Sequence, residues 1–196
     1  MTPRILILEI TLKGVTPPVW RIVEVSRNST LHELHAAIQV AMGWNNAHLY
    51  SFNKGDGKNK MQFMLPEYDD SVELFTGNNS RKFKLKDIFR KVGDSIEYVY
   101  DWGDDWRHEV IFKGTTFENA NFGFPRCSTG SRCCPPEDVG GPPGYQTLLK
   151  AIETRDKKLL KEYDAWLGYR FDPDRFSVYD QMIFFGKMAS GIAKLP

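Results

Sequence analysis

Absences bound this chain before any motif does. Only three of its 196 residues are cysteine, Cys127, Cys133 and Cys134, an odd number confined to eight positions. That excludes a disulfide-stapled scaffold, and the adjacent Cys133 and Cys134 would bridge each other only under strain. No apolar run approaches membrane-spanning length. The opening Ile5-Leu6-Ile7-Leu8 is too short for the core of a signal peptide and reads as a strand. A reducing cytoplasm and no membrane contact are therefore expected. The net charge is only +1, which argues against a general polyanion binder while leaving room for a local basic patch. There is no internal repeat, low-complexity tract, Ser-His-Asp arrangement, nucleophile elbow or phosphate loop.

What is present is enough apolar material for a core. Hydrophobic residues make up 41% and aromatics 13%, and a chain of this length buries about 70% of its unfolded surface. One domain over residues 1–196 is expected. Arg4–Lys13 and Val19–Val25 read as strands. Thr30 and Glu33 form a capping box for a helix reaching Met42, with Leu31, Leu34, Ile38 and Met42 on one face and Gly43 as its stop. His48–Asn53 and Met61–Leu65 are further short strands, and Ser71–Lys82 reads as irregular. Leu85, Ile88 and Phe89 mark a short helix, helical periodicity returns at Tyr145, and Ser177 with Asp180 caps a last helix. The order predicts an α+β fold with a mainly antiparallel sheet, helices on one side and a C-terminal helical segment. Its opening strand-strand-helix-strand order would suit a β-grasp core.

Ser95–Lys113 organises the rest. With a three-residue loop at Gly103-Asp104-Asp105, one face carries Tyr98, Tyr100, Trp102, Trp106, His108, Val110 and Phe112, and the other carries the charged residues. Asp101 then faces Arg107. At the tip, Asp101, Asp104, Asp105 and His108 crowd together, either as backbone-capping turn residues or as a carboxylate–histidine cluster. The second stretch is Cys133–Tyr145, at the end of a long loop, Phe117–Gly144, that is poor in periodicity and rich in Gly, Pro, Asn and Cys. A loop of that length is commonly functional. It supplies Glu137 and Asp138, and Gly140-Gly141 permits a close backbone approach. The expectation is that the two stretches meet in a polar pocket of Asp101, Asp104, Asp105, His108, Glu137, Asp138 and Tyr145.

Certain motifs carry a resemblance. They are Val19-Trp20-Arg21 after paired prolines, Leu31-His32-Glu33-Leu34-His35 leading to Met42-Gly43-Trp44, and His48-Leu49 with Phe52. Tyr100-Asp101-Trp102-Gly103-Asp104 with Trp106 and His108 follows, then Cys134-Pro135-Pro136-Glu137-Asp138-Val139-Gly140-Gly141 with Gly144-Tyr145. Spread over nearly the whole chain in this order, they resemble the plasmid pRiA4b ORF-3-like family, whose members are often labelled passenger proteins of mobile elements. The resemblance implies a single-domain α+β fold and brings no reaction with it. The family frequently has cysteine where this chain has Val139, whereas Cys133 is additional here.

Three functions fit these residues. An interaction module would bind a protein or nucleic acid through the aromatic hairpin and the long loop, with Arg81, Lys82, Lys84 and Lys86 as its best basic patch. A Zn²⁺ site would draw on Cys127, Cys133, Cys134 and His108, thiolates and imidazole being tetrahedral ligands. A metal-dependent hydrolase or nuclease would use the pocket carboxylates. The module ranks first, because no complete catalytic set is visible.

Overall fold

The structure, a computed structural model, describes residues 4–66, 77–117 and 125–186 with their side chains, and 68–69, 72–73 and 187–189 as backbone. Among the described residues, ten strands and five helices follow one another: β1 (Ile5–Leu12), β2 (Trp20–Ser26), α1 (Leu31–Met42), β3 (Tyr50–Lys54), β4 (Met61–Met64), β5 (Tyr68–Asp69), β6 (Val72–Glu73), β7 (Asn78–Asn79), α2 (Leu85–Ile88), β8 (Ser95–Tyr100), β9 (Trp106–Thr116), β10 (Arg126–Ser131), α3 (Gly141–Thr154), α4 (Lys157–Leu167) and α5 (Val178–Ala189). Eight strands form one sheet in the order β10-β2-β1-β9-β8-β3-β4-β7. Every pairing in it is antiparallel except β4 with β7. The fold is α+β. The β-grasp arrangement is not what results: β1 pairs antiparallel with β9, and two strands, β9 and β8, lie between β1 and β3.

The helix signals act as written. Thr30 caps α1 by accepting from the Glu33 amide, the Glu33 carboxylate returns to the Thr30 amide at 2.6 Å, and Gly43 closes the helix at φ 82°. In β1, the alternate residues Leu6, Leu8, Ile10 and Leu12 are buried in the main core with Val23, Val110 and Phe112. At about 25 cal/mol per Å² of apolar area removed from water, burial along this seam stabilises the sheet. Tyr98 on the same face reaches α1, where its hydroxyl meets His35 at 2.8 Å and Gln39 at 2.9 Å.

Four details differ from expectation. In the hairpin, Tyr100 pairs with Trp106 and Val99 with Arg107. The turn is therefore Asp101–Asp105, and Arg107 binds Asp105 at 2.8 Å and Glu97 at 3.4 Å instead of facing Asp101. The shift is two residues, so each paired side chain keeps its face; Asp101 and Trp102 leave the strand for the turn, Trp102 ending 39% exposed. Second, the long loop contains β10, an edge strand on β2. Third, α3 starts at Gly141 rather than Tyr145, with prolines in its first turn where no amide is missed. Fourth, within Ser71–Lys82, where irregular backbone was expected, Val72–Glu73 and Asn78–Asn79 are strand and Ser80–Lys82 a 3-10 turn; the remainder lies outside the described residues apart from Gly77.

Arg21 pins this frame together. Although only 2% exposed, it has no carboxylate partner among the described residues. Its guanidinium donates to the carbonyls of Ala41, Trp20 and Ser131, each at 2.8 Å, and of Arg132 at 2.7 Å. The Ala41 carbonyl belongs to the last turn of α1, where the helix dipole favours a cation. We expect Arg21→Met to cost at least about 3 kcal/mol in urea unfolding, because several buried carbonyls lose their donor at about 1–3 kcal/mol each. Arg21→Lys should recover little, since an ammonium lacks the planar fork. Unfolding midpoints within error of the parent protein would refute the assignment.

Candidate functional site

The hairpin turn and the Cys–Pro loop do meet. Gly141 packs against Asp104 so closely that a Cβ there would lie 2.5 Å from the Asp104 carbonyl oxygen, at a backbone φ of 65°. Asp104 Oδ2 accepts from the Gly140 amide at 3.2 Å. Asp101, at φ 55°, folds its carboxylate back so that Oδ1 accepts from the amides of Gly103 at 2.9 Å and Asp104 at 3.3 Å. This is the backbone-capping role that Asp takes in turns. Glu137 is held from a third direction: Oε1 accepts from the Asn45 amide at 2.7 Å and from the Tyr100 hydroxyl at 3.0 Å. Burial, with the Glu137 charge beside it, pushes the Tyr100 hydroxyl far above the ordinary tyrosine range.

At the centre stands His48, which sequence reasoning noted within a motif but did not place in the site. Its Nε2 lies 3.1 Å from Asp138 Oδ1, 3.6 Å from Asp101 Oδ2 and 3.7 Å from Glu137 Oε2. The signal for it was the strand pairing. Tyr50 opposes Tyr100, and the Asp101 amide donates to the Leu49 carbonyl at 2.9 Å, so the residue before Leu49 arrives beside the hairpin turn.

Other expected site residues go elsewhere. Asp105 is an exposed partner of Arg107. Tyr145 is fully buried, its ring against Phe171 and its hydroxyl donating to the Cys133 carbonyl at 3.4 Å. His108 is sealed in the core beneath Trp44 and Tyr98, its Nδ1 3.3 Å from the Tyr98 carbonyl oxygen. The thiolate set is not assembled: among the described residues, the three thiols and His108 do not bring three ligand atoms within 4.8 Å of one another. Cys127 turns to the Thr129 carbonyl, while Cys134 contacts Arg21 and Met42. Burial pushes the Cys127 thiol up to about 11 and Cys134 to about 12, so both stay protonated at neutral pH. They are packed core residues.

A cleft of about 480 Å³ opens beside His48, lined by His32, His35, Tyr50, Leu49, Leu65 and Trp102 among others. Its wall is stacked: His35 lies on Tyr50 at 3.7 Å and 8° between planes. The network behind is closed, since His32 Nδ1 meets the Tyr50 hydroxyl at 2.9 Å and His35 Nε2 meets Asn46 Oδ1 at 2.6 Å. Trp102, displaced from the strand by the five-residue turn, also lines the cleft.

A sequence profile described as plasmid pRiA4b ORF-3-like protein matches residues 4–180. The chain is 34% identical over 171 residues to the uncharacterized protein y4hQ of Sinorhizobium fredii (strain NBRC 101917 / NGR234), covering 86% of this chain and 83% of that one. It superposes on the crystal structure of the protein of unknown function MM3350 from Methanosarcina mazei Go1 with a TM-score of 0.77 and 30% identity, over 92% of this chain and 98% of the other. No helix among the described residues is long and apolar enough to cross a membrane.

The two buried histidines make stability sensitive to acid. Burial holds both His35 and His108 down to about 3, against an ordinary 6.5. The unfolded chain therefore takes up these protons first as pH falls. The stability they contribute is complete above pH 6.5 and is lost progressively from there towards pH 3. For His108→Phe, which removes one such group and a buried Nε2 without a partner, we expect a smaller drop in urea midpoint between pH 7 and pH 4. An unchanged drop would show that His108 is not responsible.

Proposed function

The chain belongs to the plasmid pRiA4b ORF-3-like family, and from that premise we propose that it is a one-domain cytoplasmic interaction module binding a ring-bearing ligand in the cleft beside His48. The observation that carries this reading is the placement of Trp102. A large aromatic side chain, 39% exposed, lines a cleft that is lined also by the stacked His35–Tyr50 pair. Flat, weakly polar walls favour a planar group, and a half-exposed indole is the residue type that anchors such contacts. The three unpaired cysteines support a reducing compartment.

A hydrolytic reading ranks second because most of the carboxylates already have structural work. Asp101 and Asp104 hold backbone amides, Asp105 pairs with Arg107, and Glu137 holds Asn45 and Tyr100. Among the described cysteines, burial raises every thiol, which removes an activated nucleophile.

Ligand-observed NMR tests the binding reading with indole, p-cresol, adenosine and cytidine as probes. At least one should show saturation transfer, and the winning class separates a protein side chain from a nucleobase as the natural ligand. Trp102→Ala, checked for folding by circular dichroism, should weaken that binding about tenfold, as expected for a lost stacking partner worth about 1–3 kcal/mol. Absence of transfer from all four probes, or undiminished binding in the variant, would overturn the reading.

A further inference from the structure

The junction under the cleft is short of positive charge. His48 Nε2 is buried and makes no hydrogen bond, although three carboxylate oxygens lie within 3.1–3.7 Å of it. A proton on that nitrogen has no aligned acceptor, and a lone pair there would point at three anions. Asp101 poses the same problem from the other side. Its side chain is only 10% exposed; Oδ1 is occupied by the Gly103 and Asp104 amides, while Oδ2 accepts no hydrogen bond among the described residues. A carboxylate so largely withdrawn from water is stabilised by a cation at its open oxygen.

From this geometry we infer that His48 Nε2, Asp101 Oδ2 and Asp138 Oδ1 hold a divalent first-row transition-metal ion, with Glu137 at its margin. The three donor atoms lie within 4.8 Å of one another. Ligands each about 2.1 Å from one ion sit about 3.0–3.4 Å apart in octahedral or tetrahedral geometry. The 3.1 Å spacing of His48 and Asp138 already matches that separation, and the 3.6 Å spacing to Asp101 needs a slight inward turn. One imidazole with two carboxylates suits Zn²⁺ or Mn²⁺ better than Ca²⁺ or Mg²⁺, which prefer all-oxygen shells. Asp101 is rigid, fixed by its own turn, whereas Asp138 is the exposed ligand through which an ion would enter. The ion answers the orphaned His48 nitrogen and the largely buried Asp101 carboxylate with one positive centre. The inference does not depend on what occupies the cleft.

The test is titration of the EDTA-treated full-length protein with Mn²⁺, read by electron paramagnetic resonance, and with Zn²⁺, read by calorimetry. One stoichiometric site is expected for at least one of them. Asp138→Asn, a change at an exposed side chain that leaves the fold intact, should weaken it at least tenfold, and His48→Asn likewise. Trp102→Ala and the double change Cys133→Ala, Cys134→Ala should leave metal affinity unchanged. No stoichiometric binding of either ion would overturn the assignment, as would binding insensitive to both ligand substitutions or lost through the cysteines. With the ring probes measured on the EDTA-treated protein, failure here is distinguishable from failure of the cleft reading.

Discussion

A single buried guanidinium sets the relative position of three segments on which the site rests. Arg21 joins β2, the last turn of α1 and the backbone of Ser131–Arg132. Two of those segments, α1 and Ser131–Arg132, run directly into the site. Beyond α1, Trp44 donates its indole N–H to the Pro135 carbonyl at 2.9 Å, and the Asn45 amide reaches Glu137. Beyond Arg132, the chain passes through Cys134 and the paired prolines to the same Glu137. The loop that looked irregular by composition is thus anchored at both ends. Only arginine offers enough donors in one plane to serve carbonyls from three directions, and carbonyl dipoles spread its charge without an acid. The adjacent thiol, 3.2 Å from the guanidinium, fills the remaining space.

Given that anchoring, the junction accepts backbone conformations that favour glycine while retaining functional side chains. Asp101, Asp138 and Asn46 sit at φ of 55°, 58° and 54°. Asp and Asn are the residues best able to bear the left-handed region, through short polar side chains that bond locally. Asp101 does this with one oxygen and keeps the other for the cluster. Strain of about 1–3 kcal/mol per residue persists where surrounding structure over-determines it. Here Gly140 and Gly141 accept the close approach to Asp104, so the two stretches interlock by backbone contact as well as by charge.

Much of this was legible from residues alone, and the misses are instructive. Period-2 alternation assigned the faces of the central hairpin correctly even though its register was two residues off, because the pleat repeats every two residues. What alternation could not reveal was the turn length, which follows from Asp101 leaving the strand conformation to cap its own turn. Alternation also put His108 on the apolar face. Its chemistry argued for a polar pocket, but its pairing with Tyr98 sends it into the core. The strand Arg126–Ser131 escaped notice because RCSTGS carries no apolar alternation; it is an edge strand whose pairing with β2 comes from backbone hydrogen bonds. Proximity of cysteines along the chain likewise did not become convergence, as Cys127 lies in a strand and Cys134 turns inward beneath Arg21.

His48 marks the boundary between what composition reveals and what topology adds. It lies 53 positions from Asp101 and about 90 from Asp138 along the chain, so no local pattern joins them. Once β3 is known to run antiparallel to β8 with Tyr50 opposite Tyr100, the approach of positions 48–49 to 101–102 follows from the pairing alone. The histidine is therefore determined by one register and the third carboxylate by the anchoring of the Pro135–Asp138 segment. Two independent long-range constraints converge on one nitrogen atom. A surface histidine among chance neighbours would need neither, and would not be met by a largely buried aspartate with one oxygen fixed by its own turn.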